Sequence, residues 1–212
     1  MSHILKHLTG LPAATLRESH LYGEVNGVPQ RIAAGLIGGS VPTAVGRYVV
    51  MTERGNGAFN QTLLTLTRLP ITMRDSEQGG GAKIYTFPVG RICRLGAQAS
   101  IAVTTTSELA STLHTGVTCN YGVGSITQAS STVTSTEQDF VNVTAFTASA
   151  TIDVAGAVAA GVGPGVLASL DGRSSAIAAF LNLAVAGGGD IDANASVTVT
   201  GTVRLSWANI SF

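Results

Sequence analysis

Val197-Thr-Val-Thr-Gly-Thr-Val-Arg-Leu-Ser-Trp207 alternates without a break. Val197, Val199, Gly201, Val203, Leu205 and Trp207 fall on one side, and Thr198, Thr200, Thr202, Arg204 and Ser206 on the other. That period of two belongs to a pleated strand, in which successive side chains leave on opposite faces. Valine and threonine, branched at Cβ, pack well on such a surface. A long strand with one apolar and one hydroxyl-bearing face belongs in an antiparallel sheet that is dry on one side. Past Trp207 the apolar phase moves by one residue, to Ile210 and Phe212, which is the mark of a β-bulge.

The same period runs upstream. Thr62–Arg74 sets Leu64, Leu66 and Arg68 against Leu63, Thr65, Thr67 and Leu69, and Pro70 marks an edge or a bend. Asp75–Gly81 reads as a charged, glycine-rich turn before a strand at Ala82–Phe87. Gly90–Leu95 and Gln98–Thr106 read as two further strands, and Phe140–Val154 as one strand with Phe140, Thr144, Phe146, Ala148, Ile152 and Val154 on one face. Ser174–Ala186 has a helix-favouring Ala and Leu content. Its Ile177, Ala179, Leu181, Leu183 and Val185 nevertheless alternate strictly before Gly187, so it is read as strand. Ser107–Leu113 has room for one or two helical turns.

These strands, joined by Gly-rich connections, predict an all-β fold: an antiparallel β-sandwich, jelly-roll-like, over residues 58–212. Residues 1–57 are different. Pro12, Pro29, Pro42 and frequent glycines interrupt every apolar period, which predicts an extended N-terminal arm with a short helix near Ala13–His20.

Charged residues make up 11% of the chain, against about 25% in ordinary soluble domains. So sparse a charge predicts a surface partly covered by neighbouring subunits. The net charge of zero hides a division. Residues 1–95 carry ten basic and five acidic side chains; residues 96–212 carry two and seven. A basic front end fits docking on an acidic partner or head-to-tail contact between copies. The basic residues form no run, so nucleic acid is not an expected partner. The N-terminal stretch has no apolar run of signal-peptide length. Val154–Leu170 is broken by glycines and Pro164, so no membrane partner is expected. The chain reads as made and kept in a cytosol. Cys93 and Cys119 read either as small buried thiols or as one disulfide.

Few motifs carry chemistry. His114 has no nucleophile elbow near it in sequence, and Ser125 and Ser174 lie in no G-x-S-x-G. His3 and His7 have a one-face helical spacing but lack the further ligands of a zinc site. Asp190, Asp192 and Asn194 open as a calcium loop does, with oxygen ligands at every second residue. Ala195 then stands where a calcium loop needs its sharp-turn Gly, so the alternative is an Asx-stabilised β-turn. The Gly79–Gly81 and Gly161–Gly165 clusters lack the G-x-x-x-x-G-K-[ST] spacing and the strand–loop–helix setting of a phosphate loop and read as flexible turns. No catalytic residue, metal site or cofactor is expected, and the chain is read as no enzyme.

Three stretches resemble tailed-bacteriophage virion proteins of the head decoration or cement type. They are Leu69-Pro-Ile-Thr-Met-Arg-Asp75 with Gly79-Gly-Gly-Ala-Lys-Ile-Tyr-Thr-Phe-Pro88 and Gly90-Arg-Ile92; Thr104-Thr-Thr-Ser-Glu-Leu-Ala-Ser-Thr-Leu113 with Gly122-Val-Gly-Ser125; and Leu170-Asp-Gly-Arg-Ser-Ser175 with Phe180-Leu-Asn-Leu183, Gly189-Asp-Ile-Asp192, Thr200-Gly-Thr-Val203 and Trp207. The resemblance covers most of residues 62–212. It implies a non-enzymatic subunit, made in a host bacterial cytoplasm and placed on the outer surface of the virion head. There it would bind the major capsid protein and bridge its neighbours. It also implies a homo-oligomer, a trimer ahead of a dimer, because capsid symmetry presents one patch repeatedly. Lys6, Arg17, Arg31, Arg47 and Arg54 in the basic arm are the capsid-contact candidates. The alternative is a head-fibre, tail or baseplate subunit that touches host glycans.

Overall fold

The computed structural model describes residues 21–25, 28–32, 43–55, 59–105, 118–147, 153–155, 159–160, 169–185 and 194–210. Apart from a 3-10 turn at Ser135–Glu137, the regular structure of these residues is all β. Strands β1 (Leu21–Val25) and β2 (Val28–Ile32) pair with each other alone, on either side of Asn26-Gly27 in sequence. The remaining strands are β3 (Thr43–Ala44), β4 (Val49–Gly55), β5 (Phe59–Met73), β6 (Gly79–Thr86), β7 (Gly90–Thr105), β8 (Thr118–Gly124), β9 (Val141–Thr147), β10 (Asp153–Ala155), β11 (Ala159–Ala160), β12 (Ser169–Gly172), β13 (Ala178–Val185) and β14 (Ala195–Asn209). They form an antiparallel β-sandwich. The larger sheet runs β10-β7-β14-β5-β4-β3, with β11 and β12 also on the outer side of β7; the smaller runs β6-β13-β8-β9.

β14 lies at the centre of the larger sheet, between β5 and β7. Val197, Val199, Val203, Leu205 and Trp207 are buried, while Thr200, Thr202 and Arg204 are exposed, as the alternation requires. The facing layer comes from Leu181, Leu183 and Val185 of β13 with Tyr121 and Val123 of β8. Each large aliphatic side chain buried there contributes about 1.5–3 kcal/mol. At one end Phe87 stacks on Phe140 at 5.3 Å and meets Trp207 edge-on at 5.4 Å.

β13 is a strand, so alternation prevails over helix propensity there. Other readings are corrected. Gly90–Leu95 and Gln98–Thr106 are one strand, β7; Leu95 is its extra residue, because Ser206 opposes Gly96 while Trp207 opposes Arg94. The bulge beside Trp207 therefore adds a residue to the partner strand rather than to β14. Ile210 is exposed, and Phe212 lies outside the described residues. Phe140–Val154 is not one strand: β9 belongs to the smaller sheet and β10 to the larger. Val49–Gly55, counted with the arm on sequence grounds, is a strand of the larger sheet, paired with β5 from Val49↔Leu66 to Gly55↔Asn60. Ala13–His20 and Ser107–Leu113 lie outside the described residues.

Gly79–Gly81 is not a flexible turn but the start of β6, packed between two other backbones. A Cβ on Gly80 would strike the Thr72 carbonyl of β5. A Cβ on Gly79 would strike the Gln128 carboxamide, and one on Gly81 the Asn182 amide oxygen and, at 2.7 Å, Thr127 Oγ1. The segment from Ser125 to Phe140 roofs the outer face of the smaller sheet here and also over Gly122 and Gly124. Asn182, pointing outward from β13, ties it down: its Oδ1 accepts the Gln128 N–H at 2.9 Å, and its Nδ2 donates to the Ile126 and Glu137 carbonyls at 2.9 and 2.7 Å.

Candidate functional site

Two buried polar clusters invite a catalytic reading, and their geometry argues for ties instead. Asp139 accepts from the Ser125 N–H at 2.9 Å and the Ser125 hydroxyl at 2.8 Å, while Arg94 lies 3.8 Å from its carboxylate and donates to its backbone carbonyl. Burial holds the Asp139 carboxyl above the usual carboxylate range, opposed by the Ser125 hydrogen bonds and the Arg94 charge. Among the described residues Ser125 meets this acid, and its two hydrogen bonds make the cluster a clamp on the roof. The second cluster spans the seam between the sheets. Trp207 Nε1 donates to Thr62 Oγ1 at 2.9 Å, and Thr62 and Tyr85 both donate to Glu53 Oε1, at 2.9 and 2.8 Å. Burial, then Glu53, raises the Tyr85 phenol well above its ordinary value, which keeps it a donor.

The expected metal and thiol positions resolve simply. Asn194 Oδ1 accepts the Asp75 N–H at 2.9 Å, so it ties the β5–β6 turn; Asp190 and Asp192 lie outside the described residues. No three potential ligands gather around a metal position among the described residues. Cys93 and Cys119 form no disulfide, and burial pushes the Cys119 thiol up to about 11. His3, His7 and His114 lie outside the described residues.

What remains is a surface. The outer face of the larger sheet carries rows of side chains set by the register. Val50, Thr65, Thr202 and Ser100 align across β4, β5, β14 and β7; Thr52, Leu63, Arg204 and Gln98 form the next row. Across β4, β5, β14 and β7 this face holds arginines and hydroxyls, and Glu53, the one acid in those four strands, turns inward to Thr62 and Tyr85; at the margin, on β12, Asp171 is exposed beside Arg91 and engaged by Arg173. Of the contact candidates, Lys6 and Arg17 lie outside the described residues, and Arg31 falls in β2. Arg47, in the β3–β4 turn, and Arg54, near the end of β4, are exposed. Seven residues of strand, roughly 23 Å, separate them, so they do not make one site.

The structure brings Arg47 together with Arg68, a residue that was not among the contact candidates. Leu66 opposes Gly201 and Leu69 opposes Val199, so Thr67 and Arg68 together face Thr200. Arg68 takes up the bulge with φ of 51°, a left-handed conformation rare for a side-chain-bearing residue, and its N–H reaches Thr200 Oγ1 at 3.3 Å. Gly201 opposite has φ of 146°, and a Cβ there would lie 2.8 Å from Ile101 Cα. The signal was available: the inward leucines run Leu64, Leu66, Leu69, and the step of three marks the bulge. Arg47, Tyr48, Thr67, Arg68, Pro70 and Thr198 line a concavity of about 440 Å3, and the Arg47 guanidinium lies 5.6 Å from the centre of the Tyr48 ring. Pro70 fits in this strand because β4 has already ended beside it, leaving that side of β5 a local edge.

No family model matches the chain, and no curated protein matches it. A chain in the structure of infectious bursal disease virus, Gx strain, is similar with a TM-score of 0.33 and 12% sequence identity over 88% of this chain. The match spans 41% of that chain, and no functional conclusion is taken from it. No helix among the described residues is long and apolar enough to cross a membrane.

Proposed function

We propose that this chain is a non-enzymatic structural subunit of a virion: a bacteriophage head decoration or cement protein that binds the outer head surface. In this role it contacts the major capsid protein, bridges neighbouring subunits and acts as a homo-oligomer, with a trimer favoured over a dimer. The observation that supports this most is the outer face of β4, β5, β14 and β7, whose rows set threonine, serine and arginine beside Val50 and Leu63, with no outward acid in those four strands. A face that is sparsely charged and, across these four strands, carries only arginines suits an extended contact with an acidic protein surface. The sole tryptophan, Trp207, is 3% exposed and lies in the core, so it offers no stacking platform for a glycan. Many copies on one particle would make a modest contact collectively durable.

Imaging of intact particles tests the proposal: ordered copies on the outer head surface, with the sandwich against capsid subunits, are expected. Particles that lack the chain, or carry it only in the tail, refute it.

A further inference from the structure

The Arg47–Tyr48 turn separates two concavities and lines both of them. On one side is the basic hollow of about 440 Å3 made with Thr67, Arg68 and Pro70. On the other, a smaller hollow of about 190 Å3 opens at the seam between β4 and β6, walled by Val45, Val49, Leu69 and Ile84, with Lys83 also lining it. The two hollows differ in chemistry. A cavity of about 150 Å3 with apolar walls takes a benzene ring, so the seam hollow has room for one large apolar side chain. The outer hollow offers two guanidinium groups, fork-shaped donors suited to carboxylates. Among the described residues no acid lines either hollow.

The position of Arg68 is a second, independent observation. A bulge with glycine at its left-handed position would close the same register without strain. Here the strained position carries an arginine, held at the rim of the hollow. Strain retained beside a concavity is a pointer to use.

We infer that the double hollow receives a short, extended, acidic segment of a partner protein, with one apolar side chain seated in the seam and flanking carboxylates against Arg47 and Arg68. Nucleic acid is disfavoured by the same lining. Backbone-tracking sites need a run of phosphate contacts and open aromatic faces, whereas two arginines and one tyrosine already stacked with Arg47 provide neither. The inference rests on the contact-protein reading only for the occupant being protein.

The probe is a fluorescein-labelled peptide, Ac-Glu-Asp-Leu-Asp-Glu-NH2, titrated into the full chain by anisotropy and followed by amide shifts. Binding is expected to shift residues 45–49, 67–70 and 83–86. It should weaken about tenfold when the acids become Gln and Asn, when Leu becomes Gly, or in the Arg47→Gln/Arg68→Gly variant, whose bulge accepts glycine. Equal binding of the neutral peptide, shifts elsewhere, or displacement by millimolar inorganic phosphate overturns the inference. Co-sedimentation with phage heads separates the two proposals. If the double variant sediments with heads as well as the unaltered chain, the hollow is not the contact and the head-binding reading stands. If the peptide binds but the chain does not sediment with heads, the reading falls and the hollow stands.

Discussion

Replacing Arg68 with glycine should make this protein more stable. At φ of 51° a residue with a Cβ pays about 1–2 kcal/mol for the left-handed conformation, and glycine nearly nothing. Glycine's greater freedom in the unfolded chain takes back about 0.4–1 kcal/mol. The one hydrogen bond that defines the bulge, to Thr200 Oγ1, comes from the backbone N–H and survives the change. The side chain is exposed, so its removal forfeits little packing. The net gain is about 0.5–1 kcal/mol, and with roughly 2–4 °C per kcal/mol at this chain length the midpoint should rise about 1–4 °C. Trp207, the sole tryptophan and buried on β14, gives a fluorescence readout of unfolding in both heat and denaturant. Arg68→Ala is the decisive control, because it removes the same charge and keeps the Cβ. If relief of repulsion from Arg47 were the cause, Ala and Gly would gain equally. Coincident melting of the two variants refutes the strain argument.

Three further substitutions test the roof and the sheet contact. Gly80→Ala sets a Cβ against the Thr72 carbonyl and should cost about 3 kcal/mol or more, read as lost soluble yield or a collapsed midpoint; near-normal melting would show that β5 and β6 do not approach so closely. Asn182→Ala leaves the Gln128 N–H and the Ile126 and Glu137 carbonyls without their partner and should cost about 2–4 kcal/mol by chemical denaturation, against under 1 if the roof merely rests on the sheet. Asp139→Asn should change the pH dependence. Burial raises the folded carboxyl above its unfolded value, so between the two the folded state binds more protons and gains stability as pH falls. The asparagine variant lacks that gain, so wild-type stability relative to the variant should rise from pH 7 toward pH 4; a constant difference contradicts the assignment.

β14 and β13 were legible because their alternation is long and their inward faces meet one continuous core. The glycine run 79–81 was misread as a turn because its cause is non-local: Thr72, Gln128 and Asn182 approach its backbone, and no local rule announces that. The break between β9 and β10 was hidden for a related reason, since a chain that crosses between sheets keeps its β-branched composition while changing neighbours. β4 was assigned to the arm because its burial alternates poorly, only Val49 being fully buried. Half of the basic hollow was readable: Arg47 stood among the contact candidates, but Arg68 was grouped with Leu64 and Leu66 by extending a period through a bulge. The leucine spacing that betrays the bulge becomes compelling only once Gly201 is seen opposite it.

The charge division along the chain also changes meaning once folded. Of the seven acids after residue 95, Glu137 and Asp139 are buried in the roof, where Glu137 accepts the Ala129 and Thr134 N–H groups and Asp139 holds Ser125. Asp171 is engaged by Arg173 through three hydrogen bonds, from the backbone N–H at 3.2 Å and the guanidinium at 2.9 and 2.7 Å. In the first half, Arg94 is buried with Asp139 and Arg74 is paired with Glu77, whereas Arg47, Arg54 and Arg68 remain exposed. Three of the seven acids are thus engaged within the fold, two of them buried and Asp171 at the surface. Head-to-tail attraction between copies loses much of its acidic side, since these three carboxylates are already committed within the fold. Arg47, Arg54 and Arg68 are exposed, so an acidic surface of the kind proposed above would meet them without first displacing an acid of the fold.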